Sequence, residues 1–163
     1  MAAYTIASVI QKDASEFSAE SAVALAFEDR RVGYGEIDER SDMLAAGLLA
    51  AGAVPGDRIA VLCRNSVESV EIFFAAAKLG AALVPIESNL QGIEVDDRLR
   101  DSGARWLFAD WSGWDLARDV IGTDPGLGLV AVGAEMWTRG GERLLPYEEL
   151  VESGAGSRPE VEV

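Results

Sequence analysis

The chain contains no histidine. That excludes Ser-His-Asp and Cys-His catalysis and every zinc site built on an imidazole ligand. One cysteine, Cys63, leaves no intrachain disulfide and no CxxC motif, so a reducing compartment, the cytoplasm, is expected. Lysine is scarce as well: Lys12 and Lys78 are the two in the chain. Bases number 14 against 28 acids, a formal charge of −14. Nucleic-acid binders need cations to displace counterions from phosphates, and anionic membrane surfaces favour the same sign, so neither partner is expected. No apolar run approaches the roughly 20 residues of a membrane span, and no span is expected. The first residues, Met1 to Ile6, lack the basic patch and apolar stretch of a secretory signal. No G-x-x-x-x-G-K-[ST] loop is present to wrap a triphosphate.

What is present is an ordinary globular balance, 49% hydrophobic and 26% charged over 163 residues, enough for one domain. Helical spacing marks Ala7 to Phe17. Ala22 to Phe27, the turn Glu28-Asp29-Arg30-Arg31 and Val32 to Tyr34 read as a hairpin. Ile37, Leu44, Leu48 and Ala51 share one face of a helix from about Glu36 to Ala51, stopped by Gly52. From Arg58 onward strands and helices alternate. Arg58 to Cys63, Ala81 to Ile86, Arg105 to Ala109 and Leu127 to Val132 are continuous apolar runs, as buried parallel strands require. Asn65 with Glu68 predicts a capping box, opening a helix with Val67, Val70, Phe73, Phe74 and Ala77 inward and Gly80 at its end. Ile93 to Asp101 predicts a second helix, closed by Gly103. Trp114, Ala117, Val120 and Ile121 mark a third, closed by Gly122. Pro146 to Glu152 predicts the last, with Pro146 at its first position. The alternation implies a three-layer α/β fold, a mostly parallel sheet flanked by helices.

No residue set rises to a catalytic, cofactor or metal site. Gly126-Leu127-Gly128-Leu129-Val130-Ala131 fits G-x-G-x-x-A, but its glycines precede a strand instead of opening a helix, so it reads as a turn. Asp110 ends a strand and reads as a helix cap or a solvated side chain; neither lysine is placed to make it a phosphoacceptor. Trp106 and Trp114 read as core, while Trp111 and Trp137 fall in loops. Cys63 reads as a buried small hydrophobe, and Glu148-Glu149 as a solvated helix face.

Four stretches, in order, resemble the start of the adenylate-forming superfamily, the AMP-dependent acyl-CoA synthetases and their relatives. Val32-Gly33-Tyr34-Gly35-Glu36-Ile37 is similar to L-T-Y-x-E-L. Pro55 to Leu62 is similar to P-G-D-R-V-A-V-L. Asn65-Ser66-Val67-Glu68, continuing to Lys78-Leu79-Gly80-Ala81 and Val84-Pro85, is similar to N-S-x-E leading to K-x-G-A-x-x-V-P. Leu99 to Ala104 is similar to L-x-D-S-G-A. Two positions depart: Gly33 stands where Thr usually supplies a cap oxygen, and Glu87 where Asn or Asp is usual, which leaves the acid class open.

The resemblance implies that residues 1–153 form the N-terminal α/β subdomain of an AMP-forming synthetase, most simply an acyl-CoA ligase. It implies that 154–163 is a linker or tail leading towards a Ser/Thr/Gly-rich phosphate loop that these residues do not contain. The complete enzyme would use ATP, magnesium and CoA to activate a carboxylic acid as its adenylate. This stretch would be scaffold, with no catalytic, cofactor-binding or metal-binding residue of its own. Its expected partner is the remainder of the ligase, or another copy through an exposed apolar face. An amino-acid or aryl-acid adenylation domain, a truncated binding protein and half of a split enzyme are the other readings left open.

Overall fold

Three helix starts are set by short polar side chains, those after Thr5, Ser66 and Asp110. In a computed structural model, which describes residues 5–17, 22–121 (118–121 as backbone only), 124–133 and 144–159, Thr5 caps α1 (Ile6–Glu16). The Ser8 amide donates to Thr5 Oγ1 and the Thr5 amide to Ser8 Oγ, a reciprocal box. There follow β1 (Val23–Phe27), β2 (Arg30–Gly33), α2 (Tyr34–Ala50), β3 (Arg58–Leu62), α3 (Val67–Leu79), β4 (Ala82–Pro85) and α4 (Gly92–Ser102). The chain continues through β5 (Trp106–Ala109), α5 (Trp111–Ile121), β6 (Gly128–Ala131), β7 (Leu144–Pro146) and α6 (Tyr147–Ser153). The five strands β4-β3-β5-β6-β7 form one parallel sheet flanked by helices, the predicted α/β fold.

The chain divides into two compact units. One comprises Met1–Pro55, Ser66–Ala81 and Val151–Val163; the other comprises Gly56–Asn65 and Ala82–Leu150. In the first, β1 and β2 pair antiparallel across a two-residue loop, with Phe27 opposite Arg30. Such tight loops demand positive φ, and Glu28 supplies it at +50°. Ile10, Val32, Ile37 and Val67 make a small core, to which Tyr34 and Phe74 add their rings. In the second, Ala60 and Leu62 of β3, Leu107 and Ala109 of β5 and Leu129 of β6 share a sheet face with Val95 and Leu99 of α4 and Ala117 of α5. The alternate residues Ile59, Phe108 and Val130 are buried too, as continuous apolar strands require.

Several local expectations shift. The capping box of α3 is Ser66 with Ser69, not Asn65 with Glu68: a second serine three residues on closes the box at shorter reach. The inward face of α3 is Ile72, Ala75, Ala76 and Leu79, together with Glu71 and Lys78, while Phe73 is exposed. A helix apolar on most sides does not declare its inward face by spacing alone. Ala51 is exposed at the cap of α2. Pro146 ends the strand β7 instead of starting α6; it sits on an edge strand, where a missing N–H is tolerated. Gly33 caps α2 with no side-chain hydrogen bond, as its departure from Thr implies. The expected stop at Gly122, the inward side chains of Val120 and Ile121, and Trp137 lie outside the described residues.

Candidate functional site

In an open parallel sheet, ligands gather at the carboxyl ends of strands where strand order reverses. Here that point lies between β3 and β5: β4 is on one side of the pair, β6 and β7 on the other. Residues leaving those two strands are Cys63 and Arg64 from β3, and Asp110 and Trp111 from β5.

Asp110 closes this point by local hydrogen bonding. Its Oδ1 accepts from the amides of Ser112 (3.0 Å) and Gly113 (2.9 Å) and from the Ser112 hydroxyl (2.6 Å). Its Oδ2 accepts from the Arg64 amide (3.0 Å) and Nε (3.4 Å). It is therefore the N-cap of α5, the first of its two expected roles, and not a solvated side chain, and it also ties the ends of β3 and β5 together. Burial alone would raise its carboxyl. The Arg64 amide, the Ser112 hydroxyl, the Gly113 amide and the Arg64 guanidinium outweigh burial and hold the pKa below the usual aspartate range. A carboxylate so held is ionised at neutral pH and carries no proton to donate. The first turn of α5 also comes close to β3: a Cβ on Gly113 would collide with the Leu62 carbonyl oxygen. The Arg64 guanidinium lies 5.3 Å over the exposed Trp111 ring. Cys63 Sγ donates to the Phe108 carbonyl at 3.5 Å, a structural contact.

The first unit holds a second polar cluster that sequence reasoning missed. Lys78 Nζ donates to the Asp38 carbonyl and Asp38 Oδ1, both at 2.6 Å, and stands 2.7 Å from Asp42 Oδ1. That last contact is an ion pair without hydrogen-bond alignment, since Asp42 Oδ1 accepts no directed bond. Arg158 completes it, with Nε 2.6 Å from Asp42 Oδ2 and Nη2 3.1 Å from Asp38 Oδ2. Beside it, fully buried Glu71 accepts from Arg40 Nε at 2.8 Å. The available signal was Asp38 and Asp42 at i, i+4 in α2 between Ile37 and Leu44, which puts both carboxylates on the inward side.

The other singled-out residues take structural places. Trp106 is buried in β5, its indole N–H 3.4 Å from Asp57 Oδ2. Trp114 packs against the core of the second unit. Gly126 is the tip of a turn in which its amide donates to Asp124 Oδ1, and Gly128 starts β6, so the G-x-G run enters a strand. Glu148 and Glu149 are exposed, and so is Glu87 after β4. Among the described residues no group of three or more His, Cys, Asp or Glu side chains could hold a metal.

The comparison with known families decides the kinship: AMP-binding enzymes match residues 11–143. The chain belongs to the AMP-binding enzyme family. Within that family, a fatty acid–[acyl-carrier-protein] ligase, ScoC of Streptomyces coeruleorubidus, is 41% identical over 87 residues, 53% of this chain and 17% of that protein. The long-chain-fatty-acid–CoA ligase FadD13 of Mycobacterium tuberculosis is 43% identical over 77 residues, 47% of this chain and 15% of that protein. The chain thus spans about a sixth of these ligases, in their N-terminal part. The inhibitor-bound N-terminal domain of FACL13 from Mycobacterium tuberculosis superposes with a TM-score of 0.80 at 28% identity, covering 99% of this chain and 38% of that one. No helix among its described residues is long and apolar enough to cross a membrane.

Proposed function

We propose that this chain is a scaffold subdomain of an AMP-forming acid–thiol ligase, acting in the cytoplasm with the part of the enzyme that carries the phosphate loop. In the complete reaction a carboxylate attacks the α-phosphorus of magnesium-bound ATP, pyrophosphate leaves, and a thiol, CoA in the simplest case, displaces AMP from the acyl-adenylate. The observation that carries the reading is the superposition of nearly the whole chain on the N-terminal domain of FACL13. The names of ScoC and FadD13 favour a fatty acid over an amino acid. Residues 1–153 are the subdomain proper, and 154–163 lead out of it. The role of Asp110, Arg64 and Gly113 is to fix the ends of β3 and β5. That of Lys78, Asp38 and Asp42 is to fix α2 against α3.

Pyrophosphate release tests this directly. The chain alone, given ATP, magnesium, CoA and a panel of fatty and aromatic acids, is expected to give none above a buffer control. Adding a polypeptide that carries the phosphate loop and the remaining ligase segments is expected to restore it. Turnover by the purified chain alone would falsify the scaffold role. Sedimentation over a concentration series, with and without that second polypeptide, separates self-association from pairing with the rest of the enzyme.

A further inference from the structure

Residues 154–159, which follow α6, are held to α2 by two contacts of different kinds. The first is steric: Gly154 is buried, and a Cβ there would collide with the Met43 carbonyl oxygen. The second is ionic, through Arg158. Between them the chain is exposed at Ala155, Gly156 and Ser157, and among the described residues its backbone bonds run back to α6 and to its own turn, the Ala155 amide donating to Glu152 O and the Ser157 amide to Gly154 O, both at 3.0 Å. Among the described residues, every polar contact from 155–159 to α2 comes from the Arg158 side chain.

The two cations on the carboxylate pair are not equivalent. The Lys78 side chain is 1% exposed, and it takes Oδ1 of both aspartates and the Asp38 carbonyl. That leaves one uncompensated negative charge and the two Oδ2 atoms. The Arg158 fork bridges both of them from outside, its side chain 62% exposed. The aspartates hold the guanidinium in its charged form, chiefly through the Asp42 hydrogen bond. An inner cation fixed in the helix layer and an outer one reached by water are separable. Withdrawing the outer one returns the Oδ2 atoms to solvent, while Lys78 still neutralises half the pair.

We infer that Arg158 is an electrostatic latch: it closes the strap 155–159 onto the Asp38–Asp42 pair, and the strap opens without α2 leaving α3. This rests on the geometry of the first unit and not on the ligase reading. It adds that the direction in which the chain leaves Gly154 is set by the bridge from Arg158 to both aspartates.

The test is amide exchange, measured residue by residue by NMR on the whole chain and on Arg158→Gln. Partly exposed charge-assisted pairs are worth enough to slow local opening about tenfold. The Ser157 amide is therefore expected to exchange about tenfold faster in Arg158→Gln, with the interior amides of α2 and α3 unchanged. An unchanged Ser157 rate overturns the latch, because the turn would then hold itself. Equal acceleration of the α2 amides, or failure of the variant to fold, also overturns it, because the pair would then belong to the cooperative core.

Discussion

The two units place charge differently. In the second unit Asp110 stands at the mouth of the sheet, and most of its partners are backbone and side-chain groups within three residues of it. Its remote partner, Arg64, leaves its guanidinium exposed. In the first unit Asp38, Asp42, Glu71 and Lys78 are all buried, and Lys78 is 40 residues from Asp38. A charge satisfied locally can be lost with one cap. A charge satisfied from across a helix layer leaves its partner stranded when it goes. The second unit should therefore tolerate loss of its best-connected carboxylate better than the first tolerates loss of its lysine.

Lys78→Met is the sharpest way to break that comparison. It leaves two carboxylates with Arg158 alone, and stranding a buried charge costs about 3–5 kcal/mol. For a chain of this size that is a fall in melting temperature of roughly 10 °C or more. Adding Asp38→Asn and Asp42→Asn should restore most of the loss, since no buried charge then lacks a partner. A Lys78→Met protein that melts within about 2 °C of the parent would mean that the cluster is solvated and the contrast with Asp110 is empty.

In the second unit the largest effect should be steric. Gly113→Ala drives a methyl into the Leu62 carbonyl, and overpacking of this kind costs about 2–3 kcal/mol. Because the obstacle is backbone, no rotamer change relieves it. Denaturant midpoints of Gly113→Ala and of a control at the open position Gly35→Ala separate the collision from the general effect of replacing a helical glycine.

The same contrast explains what was legible in the sequence. The sheet was readable because a strand buried on both faces is written as a continuous apolar run, and Arg58–Leu62 and Trp106–Ala109 are such runs. Asp110 was readable as a cap because its partners follow it directly. Lys78 was not, because its partners lie far off in sequence and a lysine inside an apolar helix reads as solvated until α2 is placed. The face of α3 was misjudged for a related reason: an apolar residue was expected inward at Phe73, while the helix buries Glu71 and Lys78 and leaves Phe73 exposed. The strand β7 was missed because three residues ending in proline carry no period. The family motifs around Pro55 to Leu62 and Lys78 to Pro85 were legible as those of the AMP-binding enzymes, yet nothing in them names the acid.

Asp110→Ala comes next, at about 2 kcal/mol for a charged cap with several donors. Its pH dependence sharpens the comparison. The folded carboxyl titrates below its unfolded value of about 3.9, so its stabilisation is complete above about pH 5 and is lost as pH falls through 4 towards the folded pKa. Glu68 is shifted the same way, with burial outweighed by its own backbone amide, Ser66 and Arg30. Urea midpoints of wild type and Asp110→Asn should therefore lie furthest apart near neutrality and converge as pH falls below about 4. A gap that widens on acidification would reverse the sign of the shift.

The smallest expected effect lies in the hairpin and runs the other way. Glu28 holds φ at +50° in the two-residue loop between Phe27 and Arg30. For an L-residue with a Cβ that conformation costs roughly 1 kcal/mol, and glycine avoids it. Glycine also gives the unfolded chain more freedom, which takes back part of the gain. Glu28→Gly should thus raise stability by less than about 1 kcal/mol, a rise in melting temperature of about 1–3 °C. Glu28→Val isolates the cause, because a β-branched residue is least tolerant of positive φ and should lower stability. If both variants melt with the parent, the hairpin opens before the rest of the first unit, and the strain at Glu28 is uncoupled from the unfolding that is measured. If Glu28→Gly instead destabilises, the Glu28 side chain contributes more than its backbone costs.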